Sequence, residues 1–209
     1  MKCVVVAGGA KPGKKTFIDA VKRSDISIAA DKGLEVFYKY NIIPDIIMGD
    51  FDSVDKNILD YFKNIEKIKF PSHKDETDSA IAIEKAIECG ADKILFLGAT
   101  GNRLDHLFAN IGLLKFALEK GVKCNIIDEN NKIFMINKST VLNKSDYKYF
   151  SLQSFSDCVR NLSIVNAKYT LNNYDLKMGD GITISNEFLD KPVEVNFDSG
   201  ILIVFYSRD

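Results

Sequence analysis

Apolar residues along this chain follow two different rhythms. Up to about residue 130, short β-rich runs alternate with stretches of helical spacing. The runs are CVVVAG (3–8), ISIAAD (26–31), DIIMGD (45–50), EKIKF (66–70), KILFLGA (93–99) and KCNIID (123–128). Between them, segment 76–89 sets Ala80, Ile83, Ala86 and Ile87 on one face of a helix. Segment 105–120 does the same with Leu107, Ile111, Leu114 and Leu118, and Gly121 follows as a stop. Strands alternating with helices predict an α/β domain with a mainly parallel sheet covered on both faces. Beyond residue 130 the helical period is lost. The runs KIFMIN, YKYFSLQSF, LSIVNA, GITIS, VEVNF and ILIVFYS are separated by Asn, Asp, Gly and Ser, which predicts a small antiparallel sandwich or barrel. The expected division is an α/β domain over 1–130 and an all-β domain over 131–209.

Composition narrows the partners. A net charge of −1 over 209 residues gives no bulk attraction to nucleic acid or to an anionic membrane. The four cysteines form no CxxC pair and the chain has 2 histidines, which argues against zinc and for reduced thiols in the cytoplasm. The N-terminus lacks the apolar core and cleavage site of a signal peptide, and no apolar stretch approaches the roughly 20 residues of a membrane helix.

The candidate chemistry lies where the predicted strands end, since open α/β sheets bind ligands at the carboxyl ends of their strands. Asp31 follows the second strand, Asp50 and Asp52 the third, Lys74, Asp75 and Asp78 the fourth, and Arg103, Asp105 and His106 the fifth. If the third strand ran on through GDFDSV, Asp50 and Asp52 would point the same way and Phe51 the opposite way. Taken singly, each carboxylate could be a helix cap or turn anchor, and Arg103–Asp105 a surface ion pair. Taken together, like charges on one rim call for a hard cation, Mg²⁺, which also takes phosphate oxygens. On that reading Asp50, Asp52, Asp78 and Asp105 are expected to be mostly buried. The loop GGAKPGKKT is a near miss to a P-loop. Gly8, Gly13 and Lys14 match, but Lys15 stands where Ser or Thr should bind magnesium, so it is a possible phosphate loop and not a Walker A.

The stretches DKGLEVFYKYNIIPDIIMGDFDS, KDETDSAIAI and GATGNRLDHLFANI resemble, in order and spacing, the motifs of the thiamine pyrophosphokinases. AKYTLNNYDLKMGDGITISNEF (167–188) resembles the thiamine-binding part of that family. The resemblance implies an N-terminal Rossmann-like α/β domain, a C-terminal β-sandwich, and transfer of pyrophosphate from ATP to thiamine with AMP as co-product. It implies Asp50, Asp52, Asp78 and Asp105 as metal and catalytic residues, with Arg103 and Lys74 beside the phosphates. Asp31, Lys74, Thr77 and His106 would lie on the nucleotide side, and Tyr169, Ser185 and Asn186 on the thiamine side. It further implies a homodimer with shared active sites, Asn186 acting on the partner's acidic rim. Relatives commonly read Asp-Gly-Gly where this chain has Asp31-Lys32-Gly33, and Gly-Leu-Lys where it has Asn166-Ala167-Lys168. Two other readings use the same residues: a magnesium-dependent nucleotidyl- or sugar-phosphate transferase, and a nucleotide or thiamine sensor without turnover.

Overall fold

Val4, Val5 and Val6 are wholly buried in the first strand, as a strand covered on both faces requires. In the computed structural model, which describes residues 1–69 and 76–209, that strand lies inside the first of two compact units, Met1–Glu129 and Asn130–Asp209. The first unit runs β1 (Lys2–Val6), α1 (Lys14–Lys22), β2 (Ile26–Ala30), α2 (Leu34–Lys39), β3 (Ile46–Gly49), α3 (Lys56–Tyr61), β4 (Lys67–Lys69), α4 (Asp78–Glu88), β5 (Lys93–Leu97), α5 (Leu104–Glu119) and β6 (Lys123–Ile127). A single 3₁₀ turn, Asp31–Gly33, joins β2 to α2. Its strands are parallel, in the order β6-β5-β1-β2-β3-β4.

That order reverses the winding once. The chain steps outward from β1 to β4, then crosses to the far side of β1 to make β5 and β6. The loops leaving β1 and β5 are tied together there: Ala7 N–H donates to Leu97 O at 2.9 Å, and Gly9 N–H to Gly98 O at 2.9 Å. Gly98 adopts φ 64°, and a Cβ on it would run into the Ala7 carbonyl, so the crossing requires glycine. Phe17 meets Phe37 edge to face at 4.9 Å, closing a core of Val4, Val6, Leu34 and Ile47.

The strands stop sooner than the apolar runs suggest. Asp31 belongs to the 3₁₀ turn and Asp50 lies beyond β3. The helices are also turned about their axes relative to the expected stripes. Helix α4 buries Ala82, Ile83 and Ala86, leaving Ala80 and Ile87 half-buried. Helix α5 buries Asn110, Leu114 and Ala117, so a polar residue takes part of its inner face.

The second unit contains β7 (Asn131–Ile136), β8 (Thr140–Leu142), β9 (Tyr149–Ser154), β10 (Cys158–Val165), β11 (Leu171–Lys177), β12 (Asn186–Glu187), β13 (Val193–Asn196) and β14 (Leu202–Ser207). Antiparallel pairing links β12-β9-β14-β7 in one set and β11-β10-β13-β8 in another. Both sets feed one core, in which Phe150, Leu152 and Val204 meet Leu162, Leu176 and Val195. Three strands escape the apolar pattern, among them the two-residue β12. LNNYDLK (β11) is an edge strand with exposed polar residues, and TVL (β8) is only three residues long. GITIS, expected as a strand, is a turn: Ile184 N–H donates to Gly181 O, and Ser185 sits at φ 58°. Its alternation is inverted, with Thr183 buried while Ile182 and Ile184 are exposed.

All four cysteines are free. Burial pushes the Cys3 thiol up to about 12, and the Cys124 thiol higher still. Among the described residues no helix is long and apolar enough to cross a membrane.

Candidate active site

A cleft of about 630 Å³ opens at the carboxyl ends of β1 and β5, where the winding reverses. Its walls come from Gly8 and Gly9 after β1, Asp31 after β2, Asp50 and Ser53 after β3, Asp78 at the start of α4, and Gly98 to Arg103 after β5. Gly8, Gly9, Gly98 and Gly101 are among its lining residues, together with Ala7, Ala30 and Ala99.

The acidic residues converge by turns, not by strand alternation. After Gly49 the backbone leaves the extended region, Phe51 takes φ 63°, and Asp52 N–H donates to Asp50 Oδ1 at 3.0 Å. The pleat that would set both carboxylates on one face is absent. A two-residue turn brings them together, while Phe51 packs against the apolar core. Asp31, itself left-handed at φ 46°, joins them: a carboxylate oxygen from each of Asp31, Asp50 and Asp52 lies within 4.8 Å of the others. Asp31 Oδ2 accepts from Ser53 Oγ at 2.8 Å, whereas Asp31 Oδ1 is buried and has no hydrogen-bond partner among the described residues. A buried carboxylate oxygen without a donor is costly, and a hard cation is the partner whose chemistry it suits. The crowding raises the Asp52 carboxyl above its ordinary value, first through its hydrogen bond with Asp50, then through the charges of Asp50, Asp31 and Asp78.

Asp105 stands apart from that cluster. Arg103 grips it with two parallel bonds, Nε to Oδ1 at 3.2 Å and Nη2 to Oδ2 at 2.5 Å. This holds the Asp105 carboxyl down at about 2. Asp52 and Asp105 are exposed, and Asp50 and Asp78 half-buried, so the expected burial of all four does not hold. The sites lie at a rim where water has access. Thr77 caps α4, its Oγ1 accepting from Ala80 N–H at 3.2 Å, and it lines the cleft together with His106. Lys74 and Asp75 lie outside the described residues.

The first loop divides in two. Gly8 and Gly9 line the cleft, but Gly13 N–H donates to the Glu129 carboxylate at 2.7 Å, and Lys11 pairs with Glu35 at 2.7 Å. Lys14 and Lys15 are exposed on α1 and are not among the cleft residues. A carboxylate thus holds the start of α1, where a phosphate loop would place its ligand. Several residues of the site were missed in the sequence, Ser53 and Asn110 among them. Ser53, the donor to Asp31, stands inside the GDFDS motif. Asn110 is 7% exposed, donates from Nδ2 to Ala99 O at 2.8 Å and borders the cleft. Its signal was a polar residue interrupting the apolar stripe of α5.

In the second unit Tyr169 is 57% exposed, Ser185 is exposed, and Asn186 is 2% exposed. Asn186 Oδ1 accepts from the backbone N–H of Tyr169 at 3.0 Å and of Glu187 at 2.9 Å, and its Nδ2 donates to Tyr169 O at 2.7 Å.

Residues 17–126 match the family model of the thiamin pyrophosphokinase catalytic domain, and residues 138–202 that of the thiamin pyrophosphokinase vitamin B1 binding domain. The chain is 32% identical over 212 residues to a thiamine pyrophosphokinase of Bacillus subtilis (strain 168), covering 98% of each. The crystal structure of thiamine pyrophosphokinase from Bacillus subtilis superposes with a TM-score of 0.91 at 30% identity over 100% of both chains. That from Geobacillus thermodenitrificans gives 0.87 at 29% identity, covering 100% of this chain and 98% of that one. The yeast enzyme, at 16% identity and a TM-score of 0.85 over 99% of this chain and 86% of that one, shares the fold.

Proposed function

Because this chain belongs to the thiamine pyrophosphokinase family, we infer that its acidic cleft binds the nucleotide and its second unit the vitamin. The reaction is transfer of the pyrophosphoryl group of ATP to the hydroxyl of thiamine, giving thiamine diphosphate and AMP. The hydroxyl oxygen bonds to the β-phosphorus, the bond from that phosphorus to the α-phosphate oxygen breaks, and the hydroxyl proton is lost. In this reading the first unit is Rossmann-like and the second a sandwich, supported by the single reversal in strand order and by the core shared between two antiparallel sets.

The observation that carries the site assignment is the convergence of Asp31, Asp50 and Asp52 at the carboxyl ends of β2 and β3, with a buried Asp31 oxygen that has no hydrogen-bond partner among the described residues. An all-oxygen carboxylate set fits Mg²⁺, and these three residues would hold it, with Asp78 beside them. When bound, the ion supplies positive charge to the phosphate oxygens. Arg103, at the cleft wall, offers a planar fork to the same oxygens once it leaves Asp105. Gly8, Gly9 and Gly98 let the loops that line the cleft pack closely on one another, since a Cβ on each would meet Lys32, the Thr100 carbonyl and the Ala7 carbonyl in turn. Tyr169 offers a ring face to the aromatic rings of thiamine, and Ser185 a hydroxyl.

A homodimer with shared sites is part of this reading. Leu104 and Phe108, one turn apart beside Arg103, are 74% and 70% exposed, and Met178, Ile182, Ile184 and Leu189 are also exposed. Apolar surface of this kind is what a two-fold interface would bury. Four free thiols suit the reducing cytoplasm.

Incubation with ATP, Mg²⁺ and thiamine should yield thiamine diphosphate and AMP in equal amounts. ADP formed in step with thiamine monophosphate would refute pyrophosphoryl transfer. Tight thiamine binding without product would favour the sensor.

A further inference from the structure

We propose that Asn186 is a positioning residue that fixes the backbone of Tyr169, and that it makes no contact with thiamine itself. The inference rests on the reading that thiamine lies against Tyr169. An asparagine amide has two acceptor lone pairs and two donor hydrogens. Here both lone pairs of Oδ1 are used, on Tyr169 N–H and Glu187 N–H, and one of the two Nδ2 hydrogens is used on Tyr169 O. Reversing the amide would set its NH₂ against two N–H donors, so the orientation is determined. The side chain thereby acts as a missing strand: it satisfies the N–H and the C=O of one residue that has no ladder partner.

The direction of neighbouring groups agrees. Ser185, immediately before Asn186, is exposed at φ 58° with its N–H donating to Ser151 Oγ at 3.0 Å, whereas Asn186 is 2% exposed. One faces outward and the other inward, so they do not reach the same ligand. A second strut runs beside the first. Lys168 N–H donates to Glu187 O at 3.1 Å, and the Lys168 ammonium meets the Glu187 carboxylate at 2.6 Å. That ammonium lies 5.3 Å from the centroid of the Tyr169 ring and occupies one of its faces. Next along, Ala167 bridges Phe188, whose ring packs on Phe150 at 4.8 Å and Tyr206 at 5.2 Å. Tyr169 is thus an exposed ring on a backbone fastened to the core at three successive residues. A platform ordered before the ligand arrives loses less entropy on binding.

Two measurements test this. In a double-mutant cycle, Asn186→Ala should raise the thiamine Kd about tenfold in the wild-type background and less than about twofold in a Tyr169→Ala background, because a residue acting through Tyr169 has nothing left to act on. Equal factors in both backgrounds would overturn the proposal. The second measurement needs no ligand. The chain contains no tryptophan, so Tyr169→Trp places a single reporter on the platform. Adding Asn186→Ala should lower its fluorescence anisotropy. Asn186→Asp keeps the two acceptors and should lower it less; it replaces the alanine variant if that fails to fold. Unchanged anisotropy in the folded variant would overturn the proposal. A fall in anisotropy in a protein whose wild type does not bind thiamine would uphold the mount and refute the thiamine reading.

Discussion

At the scale of single residues, the cleft is held by groups that destabilise one another. Asp31, Asp50 and Asp52 crowd together, and Asp52 is pushed towards its protonated form. Asp52→Asn keeps the shape and removes one charge. Turnover should fall to background, while the melting temperature in magnesium-free buffer stays the same or rises. A loss of folded protein in that variant would make Asp52 a structural group. Arg103 has the opposite problem, since its fork is already taken. Arg103→Lys keeps the charge but not the bidentate geometry, and should lose most of the rate; near-normal kinetics would remove Arg103 from the phosphate site. The same pair titrates measurably. With its folded value near 2 against an ordinary 3.8, Asp105 contributes stability that is present above 3.8 and is lost as pH falls through about 2. Followed by carboxyl NMR, its midpoint should return towards 3.8 in Arg103→Lys, and a midpoint left near 2 would assign the depression to another cause. Among these residues the sequence made the acids legible, since they follow β-rich runs. The Arg103–Asp105 pair was one of its readings, but it could not reveal that Asp31 joins Asp50 and Asp52 and leaves Asp105 outside. That partition depends on left-handed backbone at Asp31 and Phe51, which non-glycine residues rarely adopt and no local pattern announces.

At the scale of elements, α4 shows one residue serving two ends. Thr77 faces the cleft and also accepts the Ala80 N–H, so it sets both the helix start and the position of Asp78 in the first turn. Thr77→Ala should cost about 1 kcal/mol in urea unfolding, and Thr77→Ser should restore most of it. If Thr77→Ala unfolds at the wild-type urea concentration, the cap contributes nothing. Helices α4 and α5 were readable because each spans several turns with an apolar stripe. Helices α2 and α3 have six residues each, too few for a period to show. Strand β11 was hidden for a different reason: at the edge of its sheet it is paired on one side only, and polar residues such as Asn172, Asn173 and Asp175 cover it. GITIS misled because β-branched residues also populate turns when a neighbour, here Ser185, supplies the left-handed step.

At the scale of the whole molecule, transfer requires reacting atoms about 3–3.5 Å apart, so the proposed assignment of phosphates to the first unit and thiamine to the second needs both to serve one substrate pair. If two subunits share each site, co-expressed Asp52→Asn and Tyr169→Ala chains should recover activity, since one cleft of every mixed dimer carries both intact residues. Verified mixed dimers as inactive as the parents would place the whole site within one chain. The change of rhythm near residue 130 was visible in the sequence because helical periodicity simply stops there, and the structure divides between Glu129 and Asn130. The free thiols fall unevenly across that division: Cys3, Cys89 and Cys124 belong to the first unit, and Cys158 alone to the second. Cys3 and Cys124 sit on β1 and β6, the strands flanking β5, buried and held protonated. A maleimide can reach them only when that sheet parts. Time-resolved alkylation read by mass spectrometry therefore gives each half of the molecule its own clock, with the deep pair timing the opening of the parallel sheet and Cys158 reporting on the other unit.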